Sequence, residues 1–338
     1  MTSDLLTSLG FPAWTGARGR ASIADLYRPG QRCGIYALLF ETGELYVGQA
    51  VDVVRRFTQH RKTHADITAV AFQQVVQADL DEMERRCIHT LEAAGVPLRN
   101  LALMSVVQGE RDLDLVLSPQ DQDAWFEDGS SVEDTDQQVQ DDALRQRHRR
   151  RFEQFLALPH AGDALDLLGL YLRATIPTPR RTELSFWVVS CLPYAVKAGE
   201  SLYYRVSLNM QEVLSVFGTP EGLWASFHLA RMPFEGELGE GWMDRLREEG
   251  WGVTDHAYKP GGHDQFQLLG ETVEALASLV TDPTANAAMA LLNLRLMRKG
   301  ATYYGRSHCL DLVNAALERN AAGGEEQTPQ DAGERPVG

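Results

Sequence analysis

The sequence predicts an α+β protein of two folded regions, on three observations. Residues 30–105 alternate strand and helix signals densely, residues 160–320 mix strand-like runs with long helical patterns, and an acidic polar stretch separates the two. A length of 338 residues with 44% hydrophobic content suits two cores better than one. The expected boundaries are an N-terminal extension (1–29), a first domain (30–107), an acidic then basic linker (108–150), an α+β domain for targeting or assembly (151–320) and a disordered tail (321–338).

Residues 33–48 read CGIYALLFETGELYVG, two apolar runs around a turn at Gly43. A two-residue loop would put Tyr36 and Tyr46 on opposite faces. A three-residue loop, Glu41-Thr42-Gly43, pairs Tyr36 with Gly48 and Tyr46 with Leu38, so both tyrosines share one face. It also gives Gly43 the left-handed position of a type I turn plus bulge, and this register is the expected one.

A helix is expected over about 51–62, with Val53, Val54 and Phe57 on its buried stripe. Arg56 and His60 fall together at the edge of that stripe, one turn apart. Residues 68–76 (TAVAFQQVV) read as a third strand, and a further helix covers roughly 79–94. Glu84 lies inside that helix's apolar stripe among Leu80, Met83, Cys87, Ile88 and Leu91. A carboxylate there is costly unless it is paired with an arginine or bound to a metal. Gly95 and Pro97 end the helix, and Asn100 follows.

In the second half, helical patterns are expected at Leu165–Leu172, 271–298 and 307–319, with strands at 184–192 and 202–208. The net charge of −15 does not exclude nucleic acid, because it is localised. Residues 106–144 hold twelve acidic side chains against one arginine, and the rest of the chain before the tail is nearly neutral. The longest apolar stretches are too short to span a bilayer, which excludes a membrane partner. Residues 1–15 lack a basic start, and the four cysteines lie at least 54 residues apart, matching neither a zinc pattern nor a disulfide framework. A cytoplasmic location is therefore expected. The basic residues are 28 Arg and 4 Lys, which suggests a GC-rich, bacterial genome.

The ordered set Gly34-Ile35-Tyr36, Tyr46-Val47-Gly48, Arg56, His60, Glu84 and Asn100 resembles the GIY-YIG nuclease family, over about 75 of the 338 residues. Two positions depart from the pattern: Val47 stands in place of Ile, and Gln49 stands where many members carry Lys. The resemblance implies a small αβ sandwich with a three-stranded antiparallel sheet and metal-dependent cleavage of DNA, RNA being an alternative substrate. It implies that Glu84 ligates Mg²⁺ or Mn²⁺, that Arg56 grips the scissile phosphate, and that Gly48 and Gln49 border the substrate. Tyr36, Tyr46 or His60 would serve as general base, a choice the residues leave open, and Asn100 would orient Glu84 or a phosphate. Restriction, phage defence or mobile-element biology is the expected setting, with a homo-oligomer or a defence-system protein as partner. The alternative is a non-cleaving DNA-binding or scaffold protein that retains the fold.

Overall fold

In a computed structural model of the chain, the described residues are 2–100, 111–128, 134–196, 199–255 and 259–322. The chain is mixed α+β and divides into two units. The first comprises Met1–Gly109 with Ala257–His263, and the second holds the remainder.

The first unit runs α1 (Thr2–Ser8), β1 (Thr15–Gly16), β2 (Gly34–Phe40), β3 (Leu45–Ala50), α2 (Val53–Thr63), β4 (Ile67–Gln74) and α3 (Leu80–Ala93). Its antiparallel sheet has the order β1-β4-β2-β3. The expected sheet of three strands thus gains a fourth, because Thr15 and Gly16 pair with Val70 and Ala69. Residues 1–29 are correspondingly part of this unit and not an appendage. Leu6, Leu9 and Phe11 join Ile35, Val47, Cys87 and Leu91 in the core on one face of the sheet. Ala17 and Ile23 join Tyr36, Val53 and Phe57 in the core on the other. Burying these apolar side chains is favourable by roughly 25 cal/mol per Å² of surface removed from water, which a free extension would forgo.

The hairpin has the expected register. Tyr36 stands opposite Gly48, and Leu38 stands opposite Tyr46. Gly43 closes the loop at φ 86°, donating its N–H to Phe40 O at 3.0 Å. A side chain there would be strained in the left-handed region.

The second unit contains α4 (Pro119–Asp128), α5 (Asp142–Leu156), α6 (Ala161–Thr175), α7 (Pro179–Thr182), β5 (Trp187–Cys191), β6 (Ser201–Leu208), β7 (Gln211–Gly218) and β8 (Leu223–Leu229). It continues with α8 (Met232–Leu238), α9 (Trp242–Glu248), β9 (Gly252–Thr254), β10 (Phe266–Glu271), α10 (Val273–Thr281), α11 (Pro283–Arg298) and α12 (Leu310–Ala322). Its six strands form one antiparallel sheet in the order β5-β6-β7-β8-β10-β9. One face carries Trp187, Tyr204, Val206, Leu214, Val216, Phe227 and Leu268 into a core shared with α6, α11 and α12.

Two expectations are corrected here. The segment 271–298 is two helices, because Asp282 leaves the helical region (ψ 127°) and caps α11 by accepting from Ala285 N–H at 2.8 Å. The stretch 108–150 is not a loose linker over its described part. Leu113 and Leu117 are buried, and Val116, Trp125 and Phe126 pack against the second core. Its acidic groups are also used as acceptors: Asp134 takes the N–H groups of Arg180 and Arg181 at the start of α7. Residues 101–110 and 129–133 of that stretch, and all but the first two residues of the expected tail, lie outside the described residues.

Candidate active site

The hairpin register sets the first two candidates side by side. The Tyr36 and Tyr46 rings lie 6.1 Å apart, inclined at 24°. Tyr36 is 1% exposed, and its ring crosses the backbone of Gly48. A Cβ at Gly48 would sit 2.4 Å from the Tyr36 hydroxyl oxygen. Gly48 therefore seats the tyrosine, since a side chain here would collide with its ring.

Helix α2 supplies the next pair. Asp52 starts it by accepting from the N–H groups of Val54 and Arg55 at 2.9 and 3.1 Å, and Val53, Val54 and Phe57 are buried. This fixes the rotation of the helix and brings Arg56 and His60 over the tyrosines. His60 Nε2 lies 2.7 Å from the Tyr36 hydroxyl, and Arg56 Nε–H donates to the same oxygen at 3.4 Å. The His60 ring lies 4.7 Å from that of Tyr46. An arginine can only donate. The arrangement that orphans no hydrogen has the Tyr36 O–H donating to an unprotonated His60 Nε2, which assigns the ring proton to Nδ1.

Electrostatics keep this pair neutral. Burial pushes the Tyr36 pKa well above that of a free phenol, and Tyr46 adds to the rise while Arg56 partly opposes it. His60 is lowered to about 4, first by burial and then by the charge of Arg56. Arg56 itself is raised, chiefly by its hydrogen bond to Tyr36.

The outer edge of β3 organises the remaining candidates. It is an edge strand, so its outward N–H and C=O groups need partners. Leu45 exchanges backbone bonds with the segment after α3: its N–H donates to Pro97 O at 2.9 Å, and its C=O accepts from Arg99 N–H at 2.7 Å. Arg99 holds that segment in place through Glu44 and Asp66, at 2.7 and 2.8 Å. Asn100, 4% exposed, comes next. Its Oδ1 accepts from Val47 N–H at 2.8 Å, and its Nδ2 donates to Val47 O. The amide of Asn100 is thus spent on the strand and does not orient Glu84 as expected.

Glu84 completes the edge. Its Oε1 accepts from Gln49 N–H at 3.1 Å, and its Oε2 accepts from Gln49 Nε2 at 2.9 Å. That same Nε2 donates to Asp81 Oδ1 at 2.6 Å, so Gln49 joins two carboxylates one turn apart on α3. The position of Asp81, three residues before Glu84, is the spacing that could have marked it in the sequence. Glu84 is 8% exposed, and among the described residues no arginine or lysine pairs with it. Among the described residues, therefore, the arginine partner weighed from the sequence does not pair with Glu84. The Glu84 carboxylate is near enough to Tyr36 to contribute to the rise of its pKa.

A hard divalent cation fits this donor set. Mg²⁺ typically takes one or two carboxylates and completes its shell with water and substrate phosphate, and Glu84 and Asp81 offer two carboxylates that share the Gln49 amide. Among the described residues no group of three or more His, Cys, Asp or Glu side chains is arranged to enclose a metal. Nor, among them, is any helix long and apolar enough to cross a membrane. No family model, curated protein or solved structure matches the chain.

Proposed function

We propose that the first unit is an endonuclease domain of the GIY-YIG type, hydrolysing phosphodiester bonds of DNA with Mg²⁺ or Mn²⁺, in restriction, phage defence or mobile-element biology. The reading rests on one observation above all. Tyr36, Arg56 and His60 meet at a single hydroxyl oxygen, beside a Glu84 carboxylate that has no cationic partner among the described residues.

Each side chain has a task in that reaction. Arg56, exposed on α2, grips a non-bridging oxygen of the scissile phosphate and stabilises the charge that develops there. Tyr36 accepts a proton from the attacking water while passing its own O–H proton to His60 Nε2. This two-site transfer avoids a free tyrosinate, which burial opposes. Phosphate binding at Arg56 offsets the positive charge that lowers His60, so substrate itself raises the basicity of the acceptor. Tyr46 packs against His60 and holds its ring. Glu84 and Asp81 would hold the cation, which when bound polarises the phosphate and lowers the pKa of water.

One observation favours the non-cleaving alternative. Gln49 Nε2 occupies the place between the two carboxylates that a cation would take. Nicking of supercoiled plasmid with Mg²⁺ or Mn²⁺ decides between the readings. Loss of cleavage in both Glu84→Ala and Arg56→Ala, with folds intact, is expected for the nuclease. DNA binding without cleavage by the wild type would establish the alternative.

A further inference from the structure

The second unit carries a pocket that the nuclease reading leaves unused. It lies on the sheet face opposite the core, where Ser190 stands across from Arg205, Val188 across from Ser207, and Ser207 across from Glu212. Arg151 of α5, Tyr304 and Ser307 close it around a cavity of about 180 Å³.

Its lining is largely polar, and one of its buried donors has no protein acceptor. Ser190 and Ser207 are only 8% and 6% exposed, yet neither hydroxyl has a protein partner among the described residues. Arg205 is held by Glu212 and lies over the Tyr194 ring, its guanidinium carbon 5.4 Å from the centroid. Its Nε–H is buried without an acceptor. Arg151 is exposed and has no ion pair or hydrogen bond among the described residues. With Glu212 balancing Arg205, the lining keeps one net positive charge, unmet guanidinium N–H donors and several hydroxyls. A tetrahedral oxyanion with acceptors in several directions satisfies such a set. Tyr304, which lines the pocket, is 41% exposed, and Tyr194, which packs on Arg205, is 63% exposed, so two aromatic rings flank the opening. Exposed rings beside a phosphate site are what stacking of a base requires.

We propose that this pocket binds the phosphate of a nucleotide unit, held by Arg151, Arg205 and the Ser190, Ser207 and Ser307 hydroxyls, with a neighbouring tyrosine ring taking the base. The unit could be free or part of a single strand, and the chemistry is shared.

Fluorescence anisotropy of the full chain with labelled single-stranded dT12 tests it, with dTMP as competitor. The measurement is run in both the wild type and the Arg56→Ala background, so that failure of the nuclease site and of this one are separable. Arg151→Gln and Ser307→Asp alter exposed residues, and a thermal melt checks their folds. Each is expected to weaken dT12 about tenfold in both backgrounds, and Arg151→Gln to lower the salt slope by about one. dT12 binding far tighter than dTMP identifies a strand as the source, and equal binding identifies a mononucleotide. Unchanged affinity in both variants overturns the site. Displacement by an acidic peptide but not by dTMP overturns its assignment to nucleotides.

Discussion

The Tyr36 hydroxyl lies 2.7 Å from His60 Nε2, and desolvation shifts both groups away from ionisation. A buried phenol and a half-buried imidazole, both neutral at rest, form a proton path and not a charge pair. That relationship separates the roles of the three general-base candidates. Tyr36 touches His60 directly, whereas Tyr46 meets it through ring packing.

Tyr36→Phe tests the path. The variant keeps the ring that packs across Gly48 and removes only the oxygen shared by Arg56 and His60. Stability should fall by about 1 kcal/mol, the net worth of an ordinary hydrogen bond. Cleavage should fall by about 10² or more. Chemical denaturation alongside a plasmid-nicking assay separates the two effects, and a rate within twofold of wild type would remove Tyr36 from the mechanism.

The lowered pKa of His60 sets a pH dependence of stability. Its folded value, about 4, lies below its ordinary 6.5, so on acidification the unfolded chain takes up the proton first. The contribution is complete above about pH 6.5 and is lost as pH falls toward 4. Stability in that window should therefore rise with pH. After discounting for partial exposure, the His60 share is on the order of 1–2 kcal/mol. In His60→Gln the pH slope of unfolding free energy between 4.5 and 6.5 should flatten. An unchanged slope would mean that His60 titrates normally.

How much of this site was legible follows from what each residue depends on. The shared face of Tyr36 and Tyr46 needed only the length of the loop at Gly43, and the position of Glu84 needed only helical periodicity. The work of Asn100 depends on β3 being an edge strand, which is a fact of topology that no local pattern carries. The pairing of Thr15 and Gly16 was hidden for a related reason, since a two-residue strand has no period to read. In the second unit, β7 and β8 place the stacked pair Phe217 and Trp224 on the face away from the core. That blurs the alternation of polar and apolar residues by which strands are read.

Gly48→Ala probes the seating of Tyr36 independently of any charge. The added methyl would overlap the Tyr36 hydroxyl at 2.4 Å and its Cζ at 2.6 Å, in a core with no slack. Overpacking of this kind costs about 1–3 kcal/mol. The ring must also shift, so the contact with His60 should lengthen and cleavage should fall more than stability explains. Equal melting temperatures for Gly48→Ala and wild type would contradict that account.

Asn100→Ala should behave differently from a catalytic substitution. It leaves Val47 N–H and C=O without partners in a site that is 4% exposed. The expected loss is about 2–3 kcal/mol of stability. Under conditions where the variant remains folded, its cleavage rate should stay near that of wild type. A stable but inactive Asn100→Ala would return this residue to the catalytic role implied by the family resemblance.

Gln49 bears on whether the domain cleaves at all. Its Nε2 donates to Asp81 and Glu84 together, and any cation at those carboxylates must displace it or bind beside it. Gln49→Ala keeps the backbone N–H bond to Glu84 and removes only the amide. If the amide competes with the cation, Mn²⁺ affinity measured by calorimetry should rise several-fold, because the carboxylates lose a hydrogen bond that the ion would otherwise have to break. If the amide instead orients the carboxylates for the ion, affinity should fall. Competition is the expected outcome, because a neutral donor satisfies two neighbouring acceptors only weakly compared with a divalent charge. Mn²⁺ binding that is undetectable in both proteins would count against a metal site at Glu84 and shift the balance to the binding-protein reading.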